Sequence, residues 1–268
     1  MSQIQLENIN ALVTGAGSGI GRAIALELAT RGARVWVSDQ SLDLAERVAK
    51  EIKTTGSTAQ AVELDITNKQ RVHVVAEHVF EEDGRLDVLA ANAGVSTMNH
   101  FLELSEEEWD FNFKVNSKGT FFTIQEFARL MAKQKLLPNR GIRGKIIATA
   151  SMAARAAAPL LAHYSASKFA VLGLVQAVAK ELADLKITVN AVNPGFVQTS
   201  MQEREVVWEA KLRGIPVDQV VEEYKRATPL SRLEKPEDVA RVVAFLASAD
   251  SDFMTGEALE VNGGAWIS

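Results

Sequence analysis

The sequence predicts an α/β fold, a doubly wound and mostly parallel sheet of seven strands with helices on both faces, in a single domain. Three observations predict it. Short apolar runs alternate with stretches of helical spacing along almost the whole chain, the signature of successive β-α units. The first apolar run leads at once into a glycine-rich turn and then a helix. No solenoid repeat, low-complexity tract or linker divides the 268 residues, a length suited to one large α/β domain or two small ones.

In order, Ala11-Leu12-Val13 reads as a buried strand, followed by Thr14-Gly15-Ala16-Gly17-Ser18-Gly19-Ile20-Gly21. Residues 22–31 then carry Ile24, Leu26 and Leu28 at helical spacing. Glycines let backbone approach a pyrophosphate, and the helix N-terminus offers free N–H groups and a positive dipole end. The turn therefore reads as a dinucleotide site rather than a mere tight turn. Arg34–Ser38 is a second strand ending at Asp39, 18 residues after Gly21 (39 − 21). A carboxylate so placed accepts from an adenosine ribose 2′-OH and repels a 2′-phosphate. Ser18 and Gln40, the nearest positions for a compensating base, are neutral. NAD is thus expected in preference to NADP, the plainer alternative being a solvated strand-end Asp.

Helix 41–54, strand 58–64, helix 68–82 and strand 86–91 continue the alternation. Asp65 and Ile66 close the third strand and Asn92-Ala93-Gly94 the fourth, and strand carboxyl ends are where ligands bind in such sheets. Ser105 and Glu108 form a capping box, opening a helix expected to run past Asn116 to about Lys133 with Gly119 a weak point. Lys133, Lys135, Arg140, Arg143 and Lys145 make a basic loop, expected as a solvated connection with phosphate binding the alternative. Strand 145–150 ends at Ser151. The helix bearing Tyr164 and Lys168 runs through Ala183 and is apolar nearly all round from Phe169 to Ala179. It must be covered by the sheet and by another subunit.

Strand 187–192 leads into Asn193-Pro194-Gly195-Phe196-Val197-Gln198-Thr199. A lid is expected at about 198–228, helical over 200–228 and interrupted at Gly214-Ile215-Pro216. Its Met201, Val206, Val207 and Trp208 either touch substrate or hold the lid down. Helix 236–248 opens at Pro236, and 257–261 is the last strand, before Asn262-Gly263-Gly264.

The chemistry centres on Tyr164 and Lys168, four apart and so on one helix face. A free phenol has a pKa near 10, and an ammonium one turn away favours the phenolate. Ser151, 13 residues upstream, would offer its hydroxyl to a substrate oxygen if the chain folds back. Proton donor, tuning cation and orienting hydroxyl suit alcohol/carbonyl redox chemistry.

Other classes fall away. Net charge is −5 with pI near 5.5, which argues against nucleic-acid or anionic-membrane partners. The absence of cysteine removes disulfides and thiol chemistry and fits a reducing compartment. His73, His78, His100 and His163 share no ligand spacing, so no metal is expected. No G-x-S-x-G elbow marks Ser151 as a hydrolase nucleophile. The N-terminal MSQIQLENIN lacks signal-peptide build and no apolar run reaches about 18 residues. The expectation is a soluble, cytoplasmic protein.

Together these residues resemble the short-chain dehydrogenase/reductase superfamily, in its compact single-domain branch, over essentially the whole chain. The likeness rests on Thr14-Gly15-x-x-x-Gly19-Ile20-Gly21, Asp65, Asn92-Ala93-Gly94, Asn116, Ser151, Tyr164-x-x-x-Lys168 and Pro194-Gly195, in that order. It implies a Rossmann-type fold, with Gly15, Ser18, Gly19, Ile20 and Gly21 at the pyrophosphate and Asp39 at the ribose. It implies Asp65 and Ile66 at the adenine, and Asn92 and Gly94 under the cofactor. Val197 and Thr199 would hold the carboxamide, with Pro194 and Gly195 also in the cofactor-binding set. Tyr164 would be general acid/base, and Lys168 would lower its pKa and hold the nicotinamide ribose. Ser151 would bind the reacting oxygen. Asn116 would bend its helix so that a carbonyl keeps a relay water. A homotetramer built partly on the long helices is implied as well.

Residues 228–233 and 253–256 look like those of members that oxidise sugar alcohols and small vicinal diols. Much of that likeness is shared with acyl-carrier-protein ketoreductases, which usually use NADP and carry a base where this chain has Ser18. The expected activity is NAD-dependent interconversion of a secondary alcohol (polyol, sugar or vicinal diol) and its ketone. The alternatives are a 3-oxoacyl reductase acting on acyl-carrier-protein or CoA substrates, and a nucleotide sensor without activity. A sensor would not need all of Asn116, Ser151, Tyr164 and Lys168.

Overall fold

The computed structural model describes residues 5–267. The first four residues of the N-terminal stretch read above, and Ser268, lie outside them. Strand β1 is Asn10–Thr14, β2 Arg34–Asp39, β3 Ala59–Glu63, β4 Val88–Ala91, β5 Gly144–Thr149, β6 Ile187–Pro194 and β7 Ala258–Val261. They form one sheet in the order β3-β2-β1-β4-β5-β6-β7, and every pairing is parallel. The Rossmann-type doubly wound expectation holds.

Strand side chains alternate between two cores, as a pleat requires. Val13, Val37, Val88 and Val192 face a core shared with α1 (Gly19–Thr30), α2 (Leu42–Thr54) and, near the end of the chain, helix Pro236–Ala247. Leu12, Trp36, Leu89, Ile146 and Val189 face the other, shared with α3 (Lys69–Asp83) and with helices Thr120–Met131 and Ala162–Leu182. Parallel strands buried on both faces read as continuous apolar runs, which is why they were visible in the sequence.

The expected long helix around Asn116 is present from Glu106 to Met131, but its winding changes part-way. α4 (Glu106–Asn112) starts at the foreseen capping box, with Ser105 and Glu108 exchanging bonds of 3.0 and 3.2 Å. A π-helical stretch over Phe113–Gly119 follows, before α5 (Thr120–Met131) resumes. Asn116 is fully buried within that stretch. Its amide spends its hydrogen bonds outside the helix, so the widened turn is centred on a side chain that ties it sideways.

The basic loop is not the wholly solvated connection expected. Lys145 is buried, donating to Ser248 O at 2.6 Å and Ser251 Oγ at 2.7 Å, and pairing with Asp252 at 2.9 Å. Arg140 holds the same Asp252 carboxylate. These cations clamp β5 to the segment after helix Pro236–Ala247. After α6 (Ala162–Leu182) and β6, α7 (Ser200–Arg213) ends at Gly214 in the left-handed region (φ 66°), and Pro216 introduces α8 (Val217–Ala227). The interruption foreseen at 214–216 is therefore a helix stop and restart. Helix α9 (Pro236–Ala247) opens with Pro236 at its first position, as expected.

Candidate active site

The chain runs outward from β1 to β2 and β3, then crosses to β4 on the other side of β1. Loops leaving β1 and β4 thus diverge and open a crevice at the strands' carboxyl ends. A cleft of about 1100 Å³ lies there.

One end is backbone. Gly15 has φ +62°, and a Cβ on it would lie 2.8 Å from Ala93 Cα; one on Gly21 would lie 2.1 Å from Gly15 O. Only glycine lets turn and helix meet this closely. No side chain caps α1 at Ser18, and its first turn has no acid. Its free N–H groups and dipole suit an anion. Gly15, Ser18, Gly19, Ile20 and Gly21 all line the cleft.

Asp39, at the end of β2, accepts from Gly17 N–H and Ser41 N–H, each at 3.0 Å. Two backbone donors fix its carboxylate at the cleft edge, beside uncharged Gln40. Asp65 and Ile66 line the same end, with Asp65 accepting from Thr67 N–H at 2.9 Å. Asn92 knits three strand ends, receiving Thr149 Oγ1 at 3.1 Å and donating to Thr14 O at 3.1 Å. Gly94, Pro194, Gly195, Val197 and Thr199 complete the walls, and Thr199 caps α7. An uncapped helix terminus, a fixed carboxylate and a buried lysine make a donor and acceptor set that a nicotinamide dinucleotide fits. Among the described residues no group of three or more His, Asp and Glu could hold a metal ion.

Ser151, Tyr164 and Lys168 converge on the middle of the cleft. Ser151 follows β5 and its Oγ accepts Ala153 N–H at 3.1 Å. Lys168 Nζ donates to Thr149 O at 2.9 Å and stands 5.9 Å from the Tyr164 ring centroid. The electrostatics differ from the sequence expectation. Burial pushes the Tyr164 phenol above its usual value, the Glu205 charge pushes it further, and the Ser151 hydroxyl only partly offsets this. Burial also lowers the pKa of Lys168, to about 8.

Asn116 does not line the cleft. Its Oδ1 accepts Val95 N–H at 2.8 Å, while Nδ2 donates to Val95 O at 2.9 Å and Ser167 Oγ at 3.0 Å. It joins the loop after β4 to α6, next to Tyr164, and so acts on the site through others.

The α7–α8 excursion forms a further wall. Met201 and Trp208 face the cleft; Val206 instead packs with Ala210 and Val220 in a small separate core, and Val207 is exposed. Ser96 and Glu205, with the cations Lys114 and Arg204, are among the residues absent from the sequence reading that also face the cleft. The signal for Glu205 was its spacing, one turn after Met201 and one before Trp208 on the same helix face.

This fold and cleft define a dinucleotide-binding oxidoreductase. A family model described as enoyl-(acyl carrier protein) reductase matches residues 15–265. The chain is 40% identical to an L-2,3-butanediol dehydrogenase of Corynebacterium glutamicum, over 95% of this chain and 97% of that one. It is 37% identical to a 3-oxoacyl-acyl-carrier-protein reductase of Staphylococcus aureus, over 96% and 98%. A solved structure of a putative NAD(P)-dependent gluconate 5-dehydrogenase from Beutenbergia cavernae, with bound NADP at low occupancy, superposes with TM-score 0.85 at 35% identity, covering 97% and 98%. The chain belongs to the short-chain dehydrogenase/reductase superfamily, and is an NAD(P)-dependent oxidoreductase of secondary alcohols and ketones.

Proposed function

We propose that this enzyme interconverts a neutral polyol or vicinal diol and the corresponding hydroxyketone, with NAD preferred. The observation that carries the reading is the meeting of Ser151, Tyr164 and Lys168 in the cleft whose other end holds Asp39. The bound dinucleotide supplies the hydride acceptor for oxidation and the donor for reduction. In oxidation Ser151 Oγ holds the carbinol oxygen, and Tyr164 Oη, as phenolate, takes the carbinol proton. In reduction the Tyr164 phenol returns that proton. Lys168 holds a dinucleotide hydroxyl and, when protonated, favours the phenolate. Asn116 fixes the loop and helix that carry this group. Gly15, Ser18, Gly19, Ile20 and Gly21 receive the diphosphate, Asp39 a ribose, and Asp65 and Ile66 the adenine. Asn92, Gly94, Pro194, Gly195, Val197 and Thr199 seat the nicotinamide half.

The α7–α8 excursion is the lid that excludes water from the reacting atoms. Exposed Phe121 on α5 and Phe169 on α6 support a homotetramer assembled through these helices. With no helix long and apolar enough to cross a membrane among the described residues, and no cysteine, the cytoplasm is the proposed compartment.

The likeness to a 3-oxoacyl reductase supports a second reading, reduction of a 3-oxoacyl thioester. One experiment separates them: NAD(P)H formation or consumption by the purified enzyme with polyols, vicinal diols, acyloins and 3-oxoacyl thioesters. Turnover of diols and acyloins with NAD is the expected result. Preferred turnover of the thioesters with NADPH would replace the first reading with the second.

A further inference from the structure

Glu205 is a carboxylate facing a cleft where the reaction needs none. It lines the same cavity as Tyr164, and its charge acts on that phenol. Among the described residues no lysine or arginine forms an ion pair with it; exposed Arg204 lines the same cleft, and its charge partly offsets the cost that burial places on the carboxylate. Its partner is Ser96, 6% exposed, whose hydroxyl has no hydrogen bond of good geometry and whose interaction bears on the Glu205 carboxyl. Ser96 follows Val95, the residue whose N–H and C=O are both held by Asn116. The hydroxyl is therefore presented on fixed backbone, the arrangement a binding site requires. Met201 and Trp208 flank Glu205 with apolar surface. A half-buried carboxyl and a buried, underused hydroxyl are costly unless a donor arrives.

We propose that Glu205 and Ser96 form a subsite for a hydrogen-bond donor carried beside the reacting carbinol, so that the site selects neutral diols or amino alcohols and rejects carboxylates. The inference rests on the secondary-alcohol reading above and names what that reading leaves open. A neighbouring hydroxyl or ammonium donates to the Glu205 carboxylate while Ser96 accepts or donates as the rotor allows. An anionic substrate whose charge lay against Glu205 would set two like charges together.

The test compares kcat/KM for 2,3-butanediol, 1-amino-2-propanol, 2-butanol and lactate in wild type, Glu205→Ala, Glu205→Gln and Ser96→Ala. Thermal melting and NADH titration establish that each variant is folded. Glu205→Ala should lower the butanediol to 2-butanol ratio about tenfold, equivalent to about 1.4 kcal/mol of discrimination. Ser96→Ala should lower it in the same direction, and Glu205→Gln should raise the lactate to butanediol ratio about tenfold by removing the repulsion. A larger loss for the amine than for the diol assigns the ammonium as the donor recognised. Equal losses for butanediol and 2-butanol, or an unchanged ratio in an active Glu205→Ala enzyme, would overturn this inference alone. A folded wild type that binds NADH but turns over none of the alcohols would overturn the function proposed above, and this inference with it.

Discussion

Lys168 Nζ donates to the carbonyl oxygen of Thr149 at 2.9 Å, joining the helix that carries Tyr164 to the end of β5. The bond holds a cation against backbone in a place nearly shut off from water, and burial lowers the lysine pKa from 10.5 to about 8.

That shift makes stability depend on pH. Between the two values the unfolded chain binds the proton and the folded chain does not, so stability rises as pH climbs. Below the lower value the full cost of burying the charge is present, about 3 kcal/mol. From about pH 7 to about pH 9.5, wild type should gain about 2 kcal/mol on Lys168→Met in denaturant unfolding. A difference independent of pH would show that the amine is well solvated.

Tyr164→Phe removes the proton carrier and leaves the glycine cradle untouched. Its kcat/KM should fall by about 10²- to 10⁴-fold, with NADH affinity kept within about threefold. Because burial and Glu205 both raise the phenol pKa, the wild-type rate of alcohol oxidation should still be climbing at alkaline pH. Steady-state pH profiles with fluorescence titration of NADH read both.

Asp39→Ala takes away the negative charge at the end of β2. The ratio of kcat/KM for NAD over NADP should fall by about 10- to 100-fold, mostly through loss of NAD affinity and relief of phosphate repulsion. The variant also gives up bonds to Gly17 and Ser41, so an overall decline with both nucleotides is expected beside the change in ratio. An unchanged ratio would remove Asp39 as selector.

Glu234 secures the turn after β6. One carboxyl oxygen accepts Gly195 N–H at 2.7 Å, while the other is buried without a partner. Burial raises its pKa from 4.5 to about 8. Here the folded chain holds the proton that the unfolded chain has lost, so stability falls as pH rises between those values. Glu234→Gln keeps an acceptor for Gly195 and abolishes the ionisation. It should be more stable than wild type at about pH 9 by about 4 kcal/mol more than at about pH 5, in urea melts at the two pH values.

The sheet was legible because each central strand is apolar on both faces, and the crevice because the glycine turn stands between the first strand and its helix. Asp39 could be placed by counting. The π-helical stretch was not legible: Phe113–Gly119 has ordinary helical composition, and what widens it is Asn116 bonding to Val95 and Ser167, distant in sequence. Lys145 looked like one more charge in a basic loop, since nothing local reveals that Asp252 waits a hundred residues on. Glu205 was passed over for the same reason. Its meaning comes from Ser96, brought to it by the fold. The Tyr164–Lys168 spacing gave their proximity but not the burial that raises the phenol's pKa and lowers the lysine's, because spacing carries no information on burial.

The small cluster of Val206, Ala210 and Val220 is separate from the two cores that sandwich the sheet. Amino-acid changes on the cleft side of α7 therefore draw on a local reserve of packing and leave the cofactor-binding scaffold nearly untouched. Substitutions at Met201, Glu205 and Trp208 thus change what the cleft accepts while the proton-transfer apparatus stays in place.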